Sequence, residues 1–396
     1  MERIYFDNAA TTAVRPEVIE AMLPFYDRLY ANPSSLHSGG QRVQRALHEA
    51  RARTAAALGA MPEEIVFTGG GSEADNLAIF GTMARARQRN EFLTSAIEHH
   101  AVLHAAERLR RGGFVVKMLP VDREGLVDPD ALRQALSSRT ALVSIMHGNN
   151  EIGTLQSISE LAAIVHEHGA LLHTDAVQTV GHLDVDVRRL DVDMLSLSAH
   201  KFEGPKGVGA LFMRSGVKLE PLLVGGGQED GRRAGTENVP GIIGLARALE
   251  LAIAELDATR PRLQALRDEI IERMTAVIPR THVNGSRSSR LPHNINVRFD
   301  GIEGDTVVIG LDVAGIEIST GSACTSGSLD PSHVMTALGL TAAQARGAVR
   351  ISLGRNSTRE HARRLIAVLE PLIARLRDLS ASLVAQPNGR GSAASA

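Results

Sequence analysis

The sequence contains no tryptophan, only 3% aromatic residues, and a single cysteine, Cys324, among its 396 residues. Few aromatic side chains argue against a surface that stacks nucleic-acid bases. One cysteine excludes an internal disulfide framework and any metal site built from several cysteines of one chain. No secretory signal pattern follows Met1. We therefore expect a protein of the reducing cytoplasm.

The chain also lacks an excess of charge and any long apolar run. Lys and Arg number 43 against 45 Asp and Glu, a formal net charge of -2. This balance gives no electrostatic footprint for nucleic acid, and no apolar stretch approaches the length that spans a bilayer. We expect no direct partner among nucleic acids or membranes. With 43% apolar residues, the length allows a sizeable core and two domains.

Short apolar runs alternate with polar residues and helical stretches. Four such runs begin at Glu64, Glu91, Ala141 and Ala170, and a fifth leads to Lys201. The alternation predicts βα units on a mostly parallel, buried sheet. Ligands of such sheets bind beyond the carboxyl ends of the strands. We therefore expect one crevice to collect Ser72, His99, Asn150, Asp175, Gln178, His200 and Lys201.

Apolar periodicity predicts helices over residues 16–30, 41–58, 239–256, 263–278, 306–314 and 358–379. Arg260-Pro261 is the candidate domain boundary. We expect an N-terminal segment, residues 1–14, that packs with the small domain, and a large domain over residues 15–260. A small domain over residues 261–385 would carry the loop around Cys324. Residues 386–396 are rich in Gly, Ser and Ala and are expected to be a disordered tail.

Lys201 stands in an unusual place for a lysine. It follows the apolar run that ends at Leu197, lies beside His200, and precedes a turn at Gly204-Pro205. Desolvation at a strand end lowers the pKa of a lysine, and the free amine can form a Schiff base with an aldehyde. The alternative is a surface lysine in a loop.

Two other positions suit a ligand that carries a negative group at one end and a positive group at another. Gly69-Gly-Gly-Ser72 lies between a predicted strand and a helix, where backbone N–H groups and a hydroxyl suit a phosphate. A helix cap by Ser72 explains the same pattern. Asp175 follows an apolar strand, where a carboxylate requires a cation such as a protonated pyridine nitrogen. The alternative for Asp175 is a cap on the next helix.

Three further side chains are candidates for chemistry. His99 lies next to His100 on a predicted loop. The ring of His99 could stack on a flat cofactor. A metal site that combines His99, His100 and His104 matches no known zinc-ligand spacing. Cys324 lies among Gly, Ser, Ala and Thr, which favours a reactive thiol over a buried small hydrophobe. Arg350, on a predicted strand, faces either inward to an anion such as a substrate carboxylate or outward to water.

Together these stretches resemble the cysteine desulfurases of the NifS/IscS type, which belong to the class V aminotransferases. The motifs are Ser198-Ala-His-Lys-Phe-Glu-Gly-Pro-Lys-Gly207, Asn149-Asn-Glu-Ile-Gly153, His173-Thr-Asp-Ala-Val-Gln178, Arg233-Ala-Gly-Thr-Glu-Asn238 and Gly321-Ser-Ala-Cys-Thr-Ser-Gly327. The lysine motif marks the wider family, and the cysteine loop marks desulfurases. The resemblance implies an α/β protein with the type I aspartate-aminotransferase-like fold. Its large domain would contain a mostly parallel mixed sheet, and its smaller C-terminal domain would be α+β.

The resemblance also implies pyridoxal 5'-phosphate as the cofactor and no metal. Lys201 would bind the cofactor aldehyde and later move the substrate proton. Asp175 would pair with the pyridine nitrogen, and His99 would stack on the ring and shuttle protons. The other implied cofactor contacts are Gly71, Ser72, Asn150, Gln178, Ser198, His200 and, from the second subunit of a homodimer, Thr236. The implied substrate contacts are Asn150 and Arg350.

The implied reaction converts L-cysteine to L-alanine and transfers its sulfur to Cys324 as a persulfide. An acceptor would then receive the sulfur, such as an iron–sulfur scaffold protein or a tRNA-thiolation enzyme. One alternative is a related class V aminotransferase or a selenocysteine or C–S lyase that uses the same cofactor without persulfide chemistry. Another is a non-catalytic sulfur-relay protein.

Overall fold

The computed structural model describes residues 3–86, 88–320 and 331–385. The predicted cysteine loop around Cys324 and the predicted tail therefore lie outside the described residues. In chain order, the first eight strands are β1 (Ile4–Tyr5), β2 (Ile65–Thr68), β3 (Glu91–Ser95), β4 (Val115–Leu119), β5 (Thr140–Ser144), β6 (Leu171–Asp175), β7 (Met194–Ser198) and β8 (Gly209–Met213). The strands that follow are β9 (Gly227–Gln228), β10 (Arg233–Ala234), β11 (Thr281–Val283), β12 (Asn294–Phe299), β13 (Ile316–Glu317), β14 (Ser319–Thr320) and β15 (Ala348–Ser352).

The helices occupy most of the predicted helical segments. They are α1 (Pro16–Met22), α2 (Pro24–Asp27), α3 (Ser38–Ala56), α4 (Gly71–Arg85), α5 (His100–Arg111), α6 (Pro129–Ala135), α7 (Ile158–Glu167), α8 (Val187–Leu190), α9 (Val239–Ala254), α10 (Leu256–Val277), α11 (Gly304–Val313), α12 (His333–Ala337), α13 (Ala342–Arg346) and α14 (Arg359–Ala385). The single helix predicted over residues 16–30 is wrong, because Pro24 begins a second helix there; a proline cannot continue the hydrogen bonding of the preceding turn.

A seven-stranded sheet in the order β2-β8-β7-β6-β5-β3-β4 forms the centre of the larger part. Only β8 runs antiparallel to its neighbours, β2 and β7. Helices α3, α7 and α9 contribute to an apolar core on the sheet, and α4 and α5 contribute to a second one. The predicted α/β class with a mostly parallel mixed sheet is confirmed.

Two of the predicted βα units differ from the expectation, because no long helix follows the strand. After β7 the chain turns through residues 202–207 and returns directly as β8. Gly209 allows this close return, because a Cβ there would lie 2.5 Å from the Leu197 carbonyl oxygen. After β6 the chain forms turns and then only the four-residue helix α8. Both departures leave loops, and no long helix, at the carboxyl ends of β6 and β7.

The C-terminal part has its own antiparallel sheet, in the order β11-β12-β15-β14. Helices α10, α11 and α14 pack on it in a separate apolar cluster, which Ile4 and Phe6 join. Strand β1 pairs with β13, so the N-terminal segment lies against this part.

The apolar core changes between Leu249 of α9 and Leu263 of α10. We propose the domain boundary there. The predicted boundary residue Pro261 lies inside α10, so the connection is helical. No helix in the described part of the chain is both long enough and apolar enough to cross a bilayer.

Candidate active site

A cavity of about 340 Å³ lies beyond the carboxyl ends of the central strands. Loops that follow β2, β3, β5, β6 and β7 all reach it, because parallel strands end at the same edge of the sheet. The predicted site residues in its wall are Gly71, Ser72, His99, Asn150, Asp175, Gln178, Ser198, His200, Lys201 and Arg350. The structure thus brings together side chains spread over 280 positions of sequence.

One end of the cavity presents the N-terminus of α4. This helix begins at Gly71, and its cap residue, Gly70, makes no side-chain capping hydrogen bond. Ser72 lies inside the first turn, so the alternative that Ser72 caps the helix is wrong. Ser198 and His200 line the same end and also border an adjoining space of about 390 Å³. Unsatisfied N–H groups at a helix N-terminus, with hydroxyl and imidazole groups around them, form a site for an anion.

Lys201 points into the cavity from the turn after β7. Its Nζ donates hydrogen bonds to the carbonyl oxygens of Ala9, at 2.6 Å, and Ala10, at 2.9 Å. Its own carbonyl oxygen lies 3.0 Å from Nε2 of His182. Lys201 is therefore a half-buried residue with a fixed amine, and the alternative of an ordinary surface lysine is wrong.

Asp175, the last residue of β6, supplies a carboxyl group to the cavity wall. Its Oδ1 accepts a hydrogen bond from the Val177 N–H at 2.9 Å. A residue that caps a helix makes a hydrogen bond of this kind. Turns follow Asp175, however, and no helix begins there. Burial raises the pKa of Asp175 to about 6, although the Lys201 ammonium opposes the shift.

Asp75 of α4 is a second buried carboxyl in the same wall and was not among the predicted site residues. Its Oδ1 has no hydrogen-bond partner among the described residues. Burial and the neighbouring Asp175 raise the pKa of Asp75 well above its usual range. Two adjacent buried carboxyl groups of this kind favour a bound cation.

His99 is the N-cap of α5, and its Nδ1 accepts a hydrogen bond from the Ala101 N–H at 3.1 Å. Burial, and then the Lys201 charge, lower the pKa of His99 to about 4. The ring is therefore neutral near pH 7 and carries its hydrogen on Nε2. A neutral, flat ring with one orienting bond suits stacking against an aromatic ligand.

The neighbouring histidines form a cluster at His100, with ring centroids 5.1 Å from His104 and 4.8 Å from His333. Within residues 3–86, 88–320 and 331–385, no group of three or more His, Cys, Asp or Glu side chains is placed to hold a metal ion. His104 and His333 do not line the main cavity.

Arg350 of β15 faces inward with only 3% of its surface exposed, so the alternative that it faces water is wrong. Its Nη2 donates to Asp7 Oδ1 at 2.8 Å, and its Nη1 donates to the Asn150 carbonyl oxygen at 3.0 Å. The anion that an inward arginine requires is thus Asp7 in this chain.

The segment from Asp7 to Thr12 is the main element that sequence reasoning missed. The Ala9 carbonyl oxygen accepts from both Lys201 Nζ and Gln178 Nε2, the latter at 2.9 Å. His200 Nδ1 lies 3.1 Å from Thr11 Oγ1. Backbone carbonyl groups leave no mark in a sequence, so the contacts of this segment with Lys201 and Gln178 had no signal there.

Thr236 is the one described candidate that does not line the main cavity. It is exposed in the loop between β10 and α9 and borders a smaller space of about 80 Å³.

The cavity fits a flat pyridine aldehyde that carries a phosphate. An amine, a buried carboxyl and an uncapped helix N-terminus line one space. A Cβ at Gly71 would lie 2.7 Å from Val177 Cγ2, so glycine keeps the helix end close to the loop after β6. These groups match the aldehyde, the ring nitrogen and the phosphate of the cofactor that the family resemblance implies.

Comparisons with known proteins agree with this geometry. Residues 4–365 match the family described as aminotransferase class-V. A cysteine desulfurase IscS of Dictyoglomus turgidum is 50% identical over 378 residues, which cover 95% of this chain and 96% of that protein. A cysteine desulfurase IscS of Methanosarcina thermophila is also 50% identical over 378 residues, covering 95% and 93%.

Solved structures are similar as well. One described as a NifS-like protein has a TM-score of 0.89 and 38% identity, covering 94% of this chain and all of that one. SspA in complex with cysteine has a TM-score of 0.78 and 40% identity, covering 88% of this chain and 98% of that one.

Proposed function

This chain belongs to the class-V aminotransferase family, and we infer that it is a cysteine desulfurase, which converts L-cysteine to L-alanine and retains the sulfur. The observation that carries this inference is the single cavity lined by the Lys201 amine, the Asp175 carboxyl and the N-terminus of α4. The sequence similarity to cysteine desulfurases, which extends over 95% of the chain, supports the same reaction.

We propose that the cavity holds pyridoxal 5'-phosphate. Gly71, Ser72, Ser198 and His200 would bind the phosphate, and Lys201 Nζ would bind the aldehyde carbon. Asp175 would hold the proton of the ring nitrogen, Gln178 would contact the ring oxygen, and His99 would cover the ring face. When bound, the cofactor supplies an electron sink for the bond that breaks at the substrate Cα.

The remaining residues act on L-cysteine. Arg350 would bind the substrate carboxylate through its planar guanidinium, with Asn150 beside it. The Lys201 amine would accept the proton from the substrate Cα, since its hydrogen bonds to Ala9 and Ala10 fix its place in the wall. His99 Nε2 would carry protons to and from the substrate, because the neutral ring holds a hydrogen there.

Cys324 would receive the sulfur, although it lies outside the described residues. Its thiolate would attack the sulfur atom of the substrate, so that the Cβ–S bond breaks and an S–S bond forms. The products are L-alanine and a persulfide on Cys324, and atoms balance without an external oxidant. We propose that the sulfur then passes to a protein acceptor, such as an iron–sulfur scaffold or a tRNA-thiolation enzyme, in the cytoplasm.

We propose that the enzyme is a homodimer in which Thr236 completes the phosphate site of the second copy. One fact supports this: Thr236 is exposed and does not line the main cavity of its own chain. Sedimentation of the purified protein, with and without a Thr236→Arg substitution, tests the dimer.

Incubation with L-cysteine tests the function. We expect release of alanine and, by mass spectrometry, one added sulfur atom on Cys324. The Cys324→Ser variant should lose sulfide release. A lyase or transaminase that uses the same cavity without persulfide chemistry would be indifferent to that substitution. Absence of alanine release by the wild-type holoenzyme would contradict the proposed function.

A further inference from the structure

Asp7 borders the substrate arginine, yet the proposed reaction gives it no role. Its Oδ1 lies 2.8 Å from Arg350 Nη2, and the side-chain exposures of the two residues are 20% and 3%. A guanidinium buried to this degree requires a partner for its charge. Asp7 supplies that charge from an N-terminal segment 343 positions away.

The contact leaves several N–H donors of the guanidinium unused. Asp7 occupies Nη2 with one oxygen, and the Asn150 carbonyl oxygen occupies Nη1 at 3.0 Å. Nε of Arg350 is buried and has no hydrogen-bond partner in the described part of the chain. Because arginine has five N–H donors in one plane, two single-atom contacts fix that plane without filling it. Donors remain for a carboxylate that enters the cavity.

Asp7 is itself held rigidly. Its carbonyl oxygen accepts from the Ala10 N–H and from the Tyr5 hydroxyl, each at 3.0 Å. The next residues fasten the segment to the end of β15, since the Ala9 N–H donates to Ser352 Oγ at 2.9 Å. Ser352 lies two residues after Arg350 on the same strand, so the carboxylate and the guanidinium keep a fixed relation.

The same segment also reaches the reacting amine. Directly after Asp7, the carbonyl oxygens of Ala9 and Ala10 accept the hydrogen bonds of Lys201 Nζ. One short stretch of backbone therefore contacts the group that would bind the substrate carboxylate and the group that would move the Cα proton. Small displacements between such groups reduce catalysis strongly.

We propose that Asp7 is a positioning residue for substrate recognition, whose carboxylate holds the Arg350 guanidinium in the plane that binds the carboxylate of the amino-acid substrate. This inference rests on the proposed function of Arg350. It assigns Asp7 to the discrimination between amino acids and amines that lack a carboxylate.

The test compares L-cysteine with cysteamine, which is cysteine without its carboxylate, on the holoenzyme. Asp7→Ala removes the holding oxygen, and we expect it to raise the KM for L-cysteine roughly tenfold while kcat changes much less. The inhibition constant of cysteamine should stay within about twofold, because that ligand makes no use of Arg350. Asp7→Asn keeps an acceptor oxygen but loses the charge, so it should raise the KM for L-cysteine less than Asp7→Ala does.

Asp312→Ala is the matched control, because it removes an exposed ion pair with Arg3 in the same N-terminal segment without touching the cavity. It should leave both constants unchanged. Equal weakening of L-cysteine and cysteamine by Asp7→Ala would overturn the proposal, as would an Asp7→Asn variant as impaired as Asp7→Ala. If Asp7→Ala fails to fold, Asp7→Ser, whose hydroxyl is too short for the contact, replaces it.

The Arg350→Ala variant separates the two levels of inference. If it retains the preference for L-cysteine over cysteamine, the proposed function of Arg350 is wrong. If it loses that preference while Asp7→Ala keeps it, only the role of Asp7 is wrong.

Discussion

The protonation of Glu98 links the candidate site to stability. Glu98 directly precedes His99 and is fully buried. Its Oε1 accepts from the Ser95 hydroxyl at 2.5 Å and from the Met146 N–H at 3.0 Å. Burial nevertheless raises the pKa of Glu98 from 4.5 to about 8. Near pH 7 the carboxyl is therefore neutral in the folded protein.

The sign of the pH effect follows from proton binding. Between these two pKa values the folded state keeps the Glu98 proton and the unfolded state releases it, so stability falls as pH rises. The loss is about 1.4 kcal/mol for each pH unit. Glu98→Gln removes the titration. From about pH 5.5 to about pH 7.5, the free energy of unfolding of the variant should therefore gain about 2 to 3 kcal/mol relative to wild type.

Urea unfolding of both proteins at the two pH values measures this difference. Glu64→Gln is the control. Burial raises the pKa of Glu64, but the hydrogen bonds from the Met61 and Ser215 N–H groups and from Arg188 lower it by more, so the pKa lies below its usual value. That carboxyl is ionised in both states over this range, and its variant should show a constant difference from wild type. If the free energies of unfolding of Glu98→Gln and wild type change equally with pH, Glu98 is ionised in the folded protein.

Three further outcomes are expected. Asp175→Asn should weaken the binding of pyridoxal phosphate to the apoprotein roughly tenfold to a hundredfold, measured by absorbance titration; unchanged affinity would remove Asp175 from the ring-nitrogen site. Glu229→Ala should destabilise the protein by about 3 kcal/mol, since it leaves the Arg51 guanidinium without the carboxylate oxygens at 2.7 and 2.8 Å; a smaller urea shift would contradict that pairing. Burial lowers the pKa of His147 to about 4, so the wild-type protein loses stability below about pH 6.5 as the unfolded state gains the proton. The His147→Gln variant should therefore gain stability relative to wild type on acidification. An equal difference in the free energy of unfolding between variant and wild type at pH 7 and at pH 5 would contradict this.

The local patterns of the sequence predicted the central architecture well. The apolar runs before Ser72, His99 and Asp175 became strands whose ends meet at one cavity. This worked because period and burial decide strand formation locally, and because parallel strands share an edge. The resemblance to a family added the roles of these residues, which the runs alone leave open.

Contacts between distant segments were not predictable. Nothing near Arg350 in the sequence indicates Asp7, because their contact depends on β1 pairing with β13 and on Asp7 bridging to Ser352. The antiparallel return of β8 was missed because apolar runs carry no direction. Pro261 predicts a break in the chain, but α10 continues through it, since Leu263, Ile270 and other apolar residues bury the helix in the second core.

Trapping of the cofactor addresses the role of Lys201 directly. The chain contains only four lysines, Lys117, Lys201, Lys206 and Lys218, so borohydride reduction of the holoenzyme followed by peptide mass spectrometry distinguishes them all. We predict that the mass of reduced pyridoxal phosphate appears on Lys201 alone. A label on Lys206 or another lysine, or an unlabelled protein that still produces alanine from L-cysteine, would contradict the assignment of this cavity as the active site.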